Sequence, residues 1–155
     1  QFLALDNCPP EWMGLNLYLF RDNEVAFYVG QSERAIARAW QHIHDAYKGR
    51  SVIGRFLLCN WPLSMHFIME FYHASHERFA GVGYDLNAAE KQLIEQWNPC
   101  FNIAANPMPT RLPSHYQAPD AHPQHLRRLG TMRSEARAFL RAELKRKTLD
   151  DIDHS

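Results

Sequence analysis

Two short apolar runs, residues 15–20 and 25–29, stand on either side of the polar stretch Arg21-Asp22-Asn23-Glu24, which predicts a β-hairpin. A three-residue turn centred near Asn23 would set Tyr18 opposite Tyr28 on one face of the pair. A two-residue turn would slip the register and separate them. The pattern then changes period. Ile36, Ala39, Trp40, Ile43, Ala46 and Tyr47 recur at helical spacing, so a helix is expected from Ser32, as N-cap, to about Lys48, with Gly49 as its stop. Arg38, His42 and Asp45 fall on a neighbouring stripe. A shorter helix is expected at Val52–Cys59, closed by Asn60-Trp61-Pro62, and a third strand at 65–72. A loop follows at Gly81-Val82-Gly83, then a helix over Leu86–Trp97 that Asn87 can cap and Pro99 ends.

Hairpin, two helices, strand and helix predict a small α/β (α+β) domain over residues 1–106, with a mostly antiparallel three-stranded sheet flanked by helices. Five prolines fall between Ala105 and Pro123, so residues 107–123 read as a linker or as a strap laid on the surface. Residues 124–155 return to helical spacing. Leu129, Met132, Ala136, Leu140 and Leu144 form an apolar stripe expected to dock, and Arg133, Arg137, Arg141 and Lys145 form a basic row at i+4 intervals.

Composition narrows the class. A chain of 155 residues, 46% hydrophobic and 22% charged, suits one globular domain with a core rather than a disordered segment. Net charge is zero but unevenly spread: residues 1–106 carry 8 Lys+Arg against 11 Asp+Glu, and residues 107–155 carry 9 against 6. The three cysteines, Cys8, Cys59 and Cys100, lie far apart without a CxxC, which speaks against a disulfide framework or a zinc cage. Buried free thiols in a reducing, intracellular setting are expected, cytoplasmic or nucleoid-associated. No apolar run approaches the ~20 residues of a membrane span, and Gln1-Phe-Leu-Ala-Leu-Asp6 lacks the basic start of a signal peptide. The first residue is not Met, which leaves room for a longer parent protein.

Tyr18, Tyr28, Arg38, His42, Glu90 and Asn102 are the candidate chemistry. Cutting a phosphodiester requires a water to be deprotonated or steered, phosphate charge to be offset, and the leaving oxygen to be stabilised. Glu90 is a candidate ligand for a hard divalent cation, and one carboxylate suits Mg²⁺, which keeps waters and borrows phosphate oxygens. Arg38 offers a planar fork for the phosphate. Tyrosine, with a pKa of about 10, is only ~0.1% ionised at pH 7, and lowering it by ~2 units needs roughly 2.7 kcal/mol. A nearby cation can supply that; alternatively the phenol only orients the water and His42 takes the proton. Singly, each residue has an ordinary explanation: a packed strand tyrosine, a solvated helix face, a surface acid or a turn asparagine. The set in this order on these elements is what carries weight.

That set resembles the GIY-YIG nuclease family over about residues 14–106. Asn16-Leu17-Tyr18 stands for the first signature triplet, departing at its glycine and keeping the tyrosine. Tyr28-Val29-Gly30 stands for the second, followed by Gln31-Ser32. The resemblance implies catalytic roles for Tyr18, Tyr28, Arg38, His42, Glu90 and the Asn102 of Asn98-Pro-Cys-Phe-Asn102, with Gly30 and Ser32 shaping the site. It also implies a single Mg²⁺ or Mn²⁺ held by Glu90, and hydrolytic cleavage of DNA, duplex or branched. The expected function is therefore a divalent-metal-dependent endonuclease. The alternatives are a non-catalytic nucleic-acid-binding module on the same fold, or the nuclease domain of a larger toxin or mobile-element protein. The row Arg133, Arg137, Arg141 and Lys145 is expected to track DNA, or else to be the solvated face of a docked helix.

Overall fold

The computed structural model describes residues 10–44 and 51–119 and, in the C-terminal part, 134–135, 137–142 and 145. The hairpin forms, with β1 at Leu17–Arg21 and β2 at Ala26–Gln31. A third strand, β3 at Ile68–Tyr72, adds to the other side of β1, giving an antiparallel sheet in the order β2-β1-β3. Because β1 is central and covered on both faces, it reads as a continuous apolar run, and Leu17, Tyr18, Leu19 and Phe20 are all buried. The strand expected at 65–72 is shorter at its start, because Leu63–His66 folds as a 3-10 turn.

The turn differs from the expected one. Asp22 Oδ1 accepts from Glu24 N at 2.7 Å and Val25 N at 2.6 Å, closing a connection over residues 22–25. Phe20 then pairs with Tyr28 and Arg21 with Ala26, which leaves Phe27 as the extra residue of a β-bulge. The bulge turns Phe27 and Tyr28 towards one face, where both pack in the same cluster. Tyr18 is consequently opposite Gly30 rather than opposite Tyr28, although the two tyrosines share a face as expected.

One face of the sheet, through Leu17, Leu19 and Val29, packs on Ala89, Leu93 and Ile94 of α3 at Leu86–Trp97. The other, through Tyr18, Phe20 and Phe27, packs on Ala35 and Ala39 of α1 at Ala35–His44 and on Ile53 and Phe56 of α2 at Val52–Cys59. Both α2 and α3 occupy their expected residues. α2 closes at Asn60 as expected, but α3 is capped by Asp85, whose Oδ1 accepts from Ala88 N at 2.9 Å, and not by Asn87. Ser32 is not the cap of α1 either. Its Oγ accepts from Arg34 N at 3.2 Å in a turn that precedes the helix. The expected stop at Lys48 and Gly49, together with Asp45, Ala46 and Tyr47, lies outside the described residues.

β2 is an edge strand, and its outer edge is covered. Cys100 N donates to Ala26 O at 3.1 Å and Phe101 N to Phe27 O at 3.0 Å. The proline-rich stretch is a strap as far as it is described. Tyr116 Oη donates to Asp22 Oδ2 at 2.6 Å, and Gln117 exchanges hydrogen bonds with the Asn60 side chain at 2.8 and 3.0 Å. In the C-terminal part the described residues are helical, and Phe139 packs edge-on against His66, ring centroids 4.9 Å apart. Leu140, expected on the docking stripe, is 48% exposed, whereas its neighbour Phe139 touches the domain. Leu129, Met132, Ala136 and Leu144 of that stripe lie outside the described residues. Among the described residues no helix is long and apolar enough to cross a membrane.

Candidate active site

The site gathers where β2 ends, between α1 on one face and the start of α3 on the other. Tyr18 lies across Gly30: a Cβ built on that glycine would fall 2.4 Å from the phenol's Cζ and Oη, so only glycine fits at this ladder position. The Tyr18 hydroxyl is 2.9 Å from His42 Nε2. Tyr18, Tyr28 and His42 form a triangle of rings, with centroids 6.1, 5.8 and 5.7 Å apart. Tyr28 is half-buried, whereas Tyr18 is 2% exposed and sits behind it.

His42 corrects the sequence expectation for α1. It belongs to the buried face with Ala35 and Ala39 and is 7% exposed, while Ile36, Trp40 and Ile43 are only half-buried. Periodicity missed this because a histidine scores as polar, yet its ring is enclosed by Tyr18, Phe20 and Tyr28. Its Nδ1 lies 2.6 Å from the Oγ of Ser51, the N-cap residue of α2. Ser51 went unremarked in the sequence, although a serine directly before a helical apolar run is a cap signal.

Arg38, one turn before His42, is exposed, and its Nη1 donates to Gln41 Oε1 at 2.7 Å. Its guanidinium still bears on both phenols, favouring their ionised forms. Glu90 comes from α3 and is half-buried; Gln31 Nε2 donates to its Oε2 at 3.0 Å and to Asn87 Oδ1 at 2.8 Å. Gln31, the last residue of β2, thus ties the carboxylate to the strand that carries Tyr28, a role its sequence position did not announce.

Burial dominates the proton affinities. It pushes Tyr18 far above the ordinary phenol range, with Tyr28 and Glu90 adding to the shift and Arg38 opposing it. Tyr28 is raised by burial and then by Glu90, against the pull of Arg38 and a hydrogen bond with Tyr18. Desolvation also raises Glu90, and the Gln31 amide offsets part of that. A partly desolvated carboxylate beside two neutral phenols is a place where a cation would be welcome.

Asn102 stands apart from the other candidates. Its Oδ1 accepts from Val29 N at 2.8 Å and its Nδ2 donates to Val29 O at 2.9 Å, extending the ladder along the outer edge of β2. Both groups of the amide, placed by sequence among the catalytic candidates, bond the backbone beside Tyr28. Asn106 supports the same loop through Pro99 O and Asn102 O. Ser32 lies in the turn between Gln31 and α1 and is half-buried. Arg137, Arg141 and Lys145 are exposed on a helical segment; Arg133 lies outside the described residues.

Among the described residues no group of three or more His, Cys, Asp or Glu converges as a metal cage. Glu90 alone suits a hard cation that takes one carboxylate oxygen and completes its shell with water and phosphate. Compared with models of known families, with curated proteins and with solved structures, the chain matches none.

Proposed function

We propose that this domain is a Mg²⁺- or Mn²⁺-dependent endonuclease of GIY-YIG type that hydrolyses phosphodiester bonds of DNA. The observation that carries this reading is the 2.9 Å hydrogen bond between Tyr18 Oη and His42 Nε2, set beside Tyr28, Arg38 and Glu90.

Hydrolysis adds a water oxygen to phosphorus, breaks the bond to the leaving oxygen, and finally returns a proton to that oxygen. Tyr28 is the hydroxyl open to such a water, with Tyr18 buried behind it. Burial keeps both phenols neutral before substrate arrives. The water's proton can then pass to Tyr28 as Tyr28 gives its own to Tyr18 and Tyr18 gives its own to His42. Imidazole is the member of this chain whose ordinary pKa lies near neutrality, so it is the natural terminus. This keeps His42 as the acceptor, as in the second of the two roles open to the tyrosines, and adds conduction through the phenols to the orienting role.

Arg38, exposed one turn from His42, presents its fork to the phosphate. Glu90 would hold the cation, which when bound offsets charge on the phosphate and the leaving oxygen. Arg137, Arg141 and Lys145 add positive charge outside the catalytic set, suited to the backbone of duplex or branched DNA.

The test is a cleavage panel of supercoiled plasmid, branched duplex and RNA, with and without Mg²⁺ or Mn²⁺. Metal-dependent cutting of DNA that disappears in Glu90→Gln is the expected result. Binding without cutting under every metal condition would make the domain a nucleic-acid-binding module and end the nuclease reading.

A further inference from the structure

We propose that Ser51 is a positioning residue for this reaction, holding His42 in the tautomer whose unprotonated Nε2 accepts the proton of Tyr18. The inference rests on the nuclease reading for its purpose, but not for its geometry.

His42 has hydroxyls at both ring nitrogens, Tyr18 at 2.9 Å from Nε2 and Ser51 at 2.6 Å from Nδ1. A neutral imidazole carries one N–H and one bare nitrogen, so one hydroxyl must donate to it and the other must accept from it. Acidity decides which. A phenol, with a pKa of about 10, is a far stronger donor than an aliphatic alcohol. Its oxygen is also the poorer acceptor, because its lone pair is drawn into the ring. Tyr18 is therefore the donor to Nε2, and Nδ1–H donates to Ser51 Oγ.

The position of Ser51 agrees with an accepting role. As N-cap of α2 it has an extended backbone, φ −120° and ψ 131°, and its Oγ already accepts from Gly54 N at 3.2 Å. A serine oxygen has a second lone pair for Nδ1–H, and its half-buried position leaves its own proton room to turn towards solvent. The start of α2 thus fixes a ring carried by α1. When His42 takes the Tyr18 proton, the Nδ1–H bond to Ser51 becomes charge-assisted and strengthens at the step where it is needed.

Ser51→Gly separates this role from capping, because glycine fills an N-cap almost as well as serine but has no oxygen. Ring ¹⁵N spectra of the metal-free protein should show His42 protonated on Nδ1 in the wild type. Ser51→Gly should shift the population towards Nε2–H, and Ser51→Thr should restore it. Turnover in Mg²⁺ should fall about tenfold to a hundredfold in Ser51→Gly with KM for DNA unchanged, and recover in Ser51→Thr. A wild-type ring protonated on Nε2 would overturn the assignment without any variant. So would full turnover in Ser51→Gly. The tautomer can be read in a protein that cuts nothing, so failure of the nuclease reading and failure of this inference are distinguishable.

Discussion

Tyr18 and Gly30 are ladder partners, and the tyrosine ring occupies the space that any side chain on its partner would need. The missing Cβ is what lets the phenol lie across β2 and reach His42 on α1. Gly30→Ala should therefore push the ring aside. Tyr18 is almost wholly buried and cannot swing away freely. The expected cost is about 1–3 kcal/mol of stability from overpacking, with loss of cleavage beyond what the folded fraction explains. Denaturant melts paired with activity per folded molecule measure both. An alanine variant with normal stability and turnover would show that Tyr18 has another way to sit.

Glu90 makes opposite predictions for stability and for function. Its pKa is raised above the ordinary 4.5 in the folded protein, chiefly by desolvation. Between that value and the raised one the folded state binds more protons than the unfolded, so stability falls as pH rises through this window. Glu90→Gln, which cannot ionise, should melt higher than wild type at pH 7, with the gap closing in acid. It should also abolish cleavage, and Mg²⁺ should raise the wild-type Tm while leaving the variant unmoved. Equal melting curves for the two proteins at pH 7, or Mg²⁺-stabilised Glu90→Gln, would contradict the assignment.

For Arg38 the fork matters more than the charge. Arg38→Lys keeps a cation on the exposed face of α1 but cannot grip a phosphate at two points. Turnover should drop by roughly tenfold to a hundredfold while DNA affinity changes little, about the effect of losing 1.4–2.7 kcal/mol in the transition state. Single-turnover rates and binding isotherms separate the two, and normal rates would return Arg38 to the solvated surface.

Asn102 should behave as a structural clamp. Asn102→Ala strands the Val29 N–H and C=O that its amide now satisfies, at a cost of about 2–4 kcal/mol. Hydrogen exchange at the Val29 amide should accelerate, and molecules that remain folded should still cut. A variant that is fully folded, keeps Val29 protected and is inactive would place Asn102 among the catalytic residues after all.

Neutralising Arg137, Arg141 and Lys145 together should weaken binding to all DNA sequences alike. On a duplex, the slope of log K against log salt should shrink by about 0.9 for each phosphate that the protein no longer neutralises. Turnover at saturating DNA should hardly change, since none of the three adjoins the Tyr18–His42 pair. An unaltered affinity and slope would mean that the row faces only solvent.

The local rules of the chain marked most of the described elements, though not every boundary. Short apolar runs on either side of a polar turn marked β1 and β2, and helix-stopping residues bounded Val52–Cys59 and Leu86–Trp97, because such signals act through the local backbone. The presence on one chain of two tyrosines, an arginine, a histidine and a glutamate was equally legible. Their mutual arrangement was not. Tyr18 faces Gly30 because a bulge at Phe27 shifts the register, and a single extra residue in a ladder leaves no mark on hydrophobic periodicity. His42 turned inward because aromatic rings from both strands enclose it, so its polarity misreported its burial. Ser51 meets His42, and Asn102 meets Val29, across 9 and 73 residues of chain respectively. Pairings of that kind exist only once helices and strands have packed. Sequence supplied the chemical groups and the pieces of backbone that carry them; packing decided which of those groups meet.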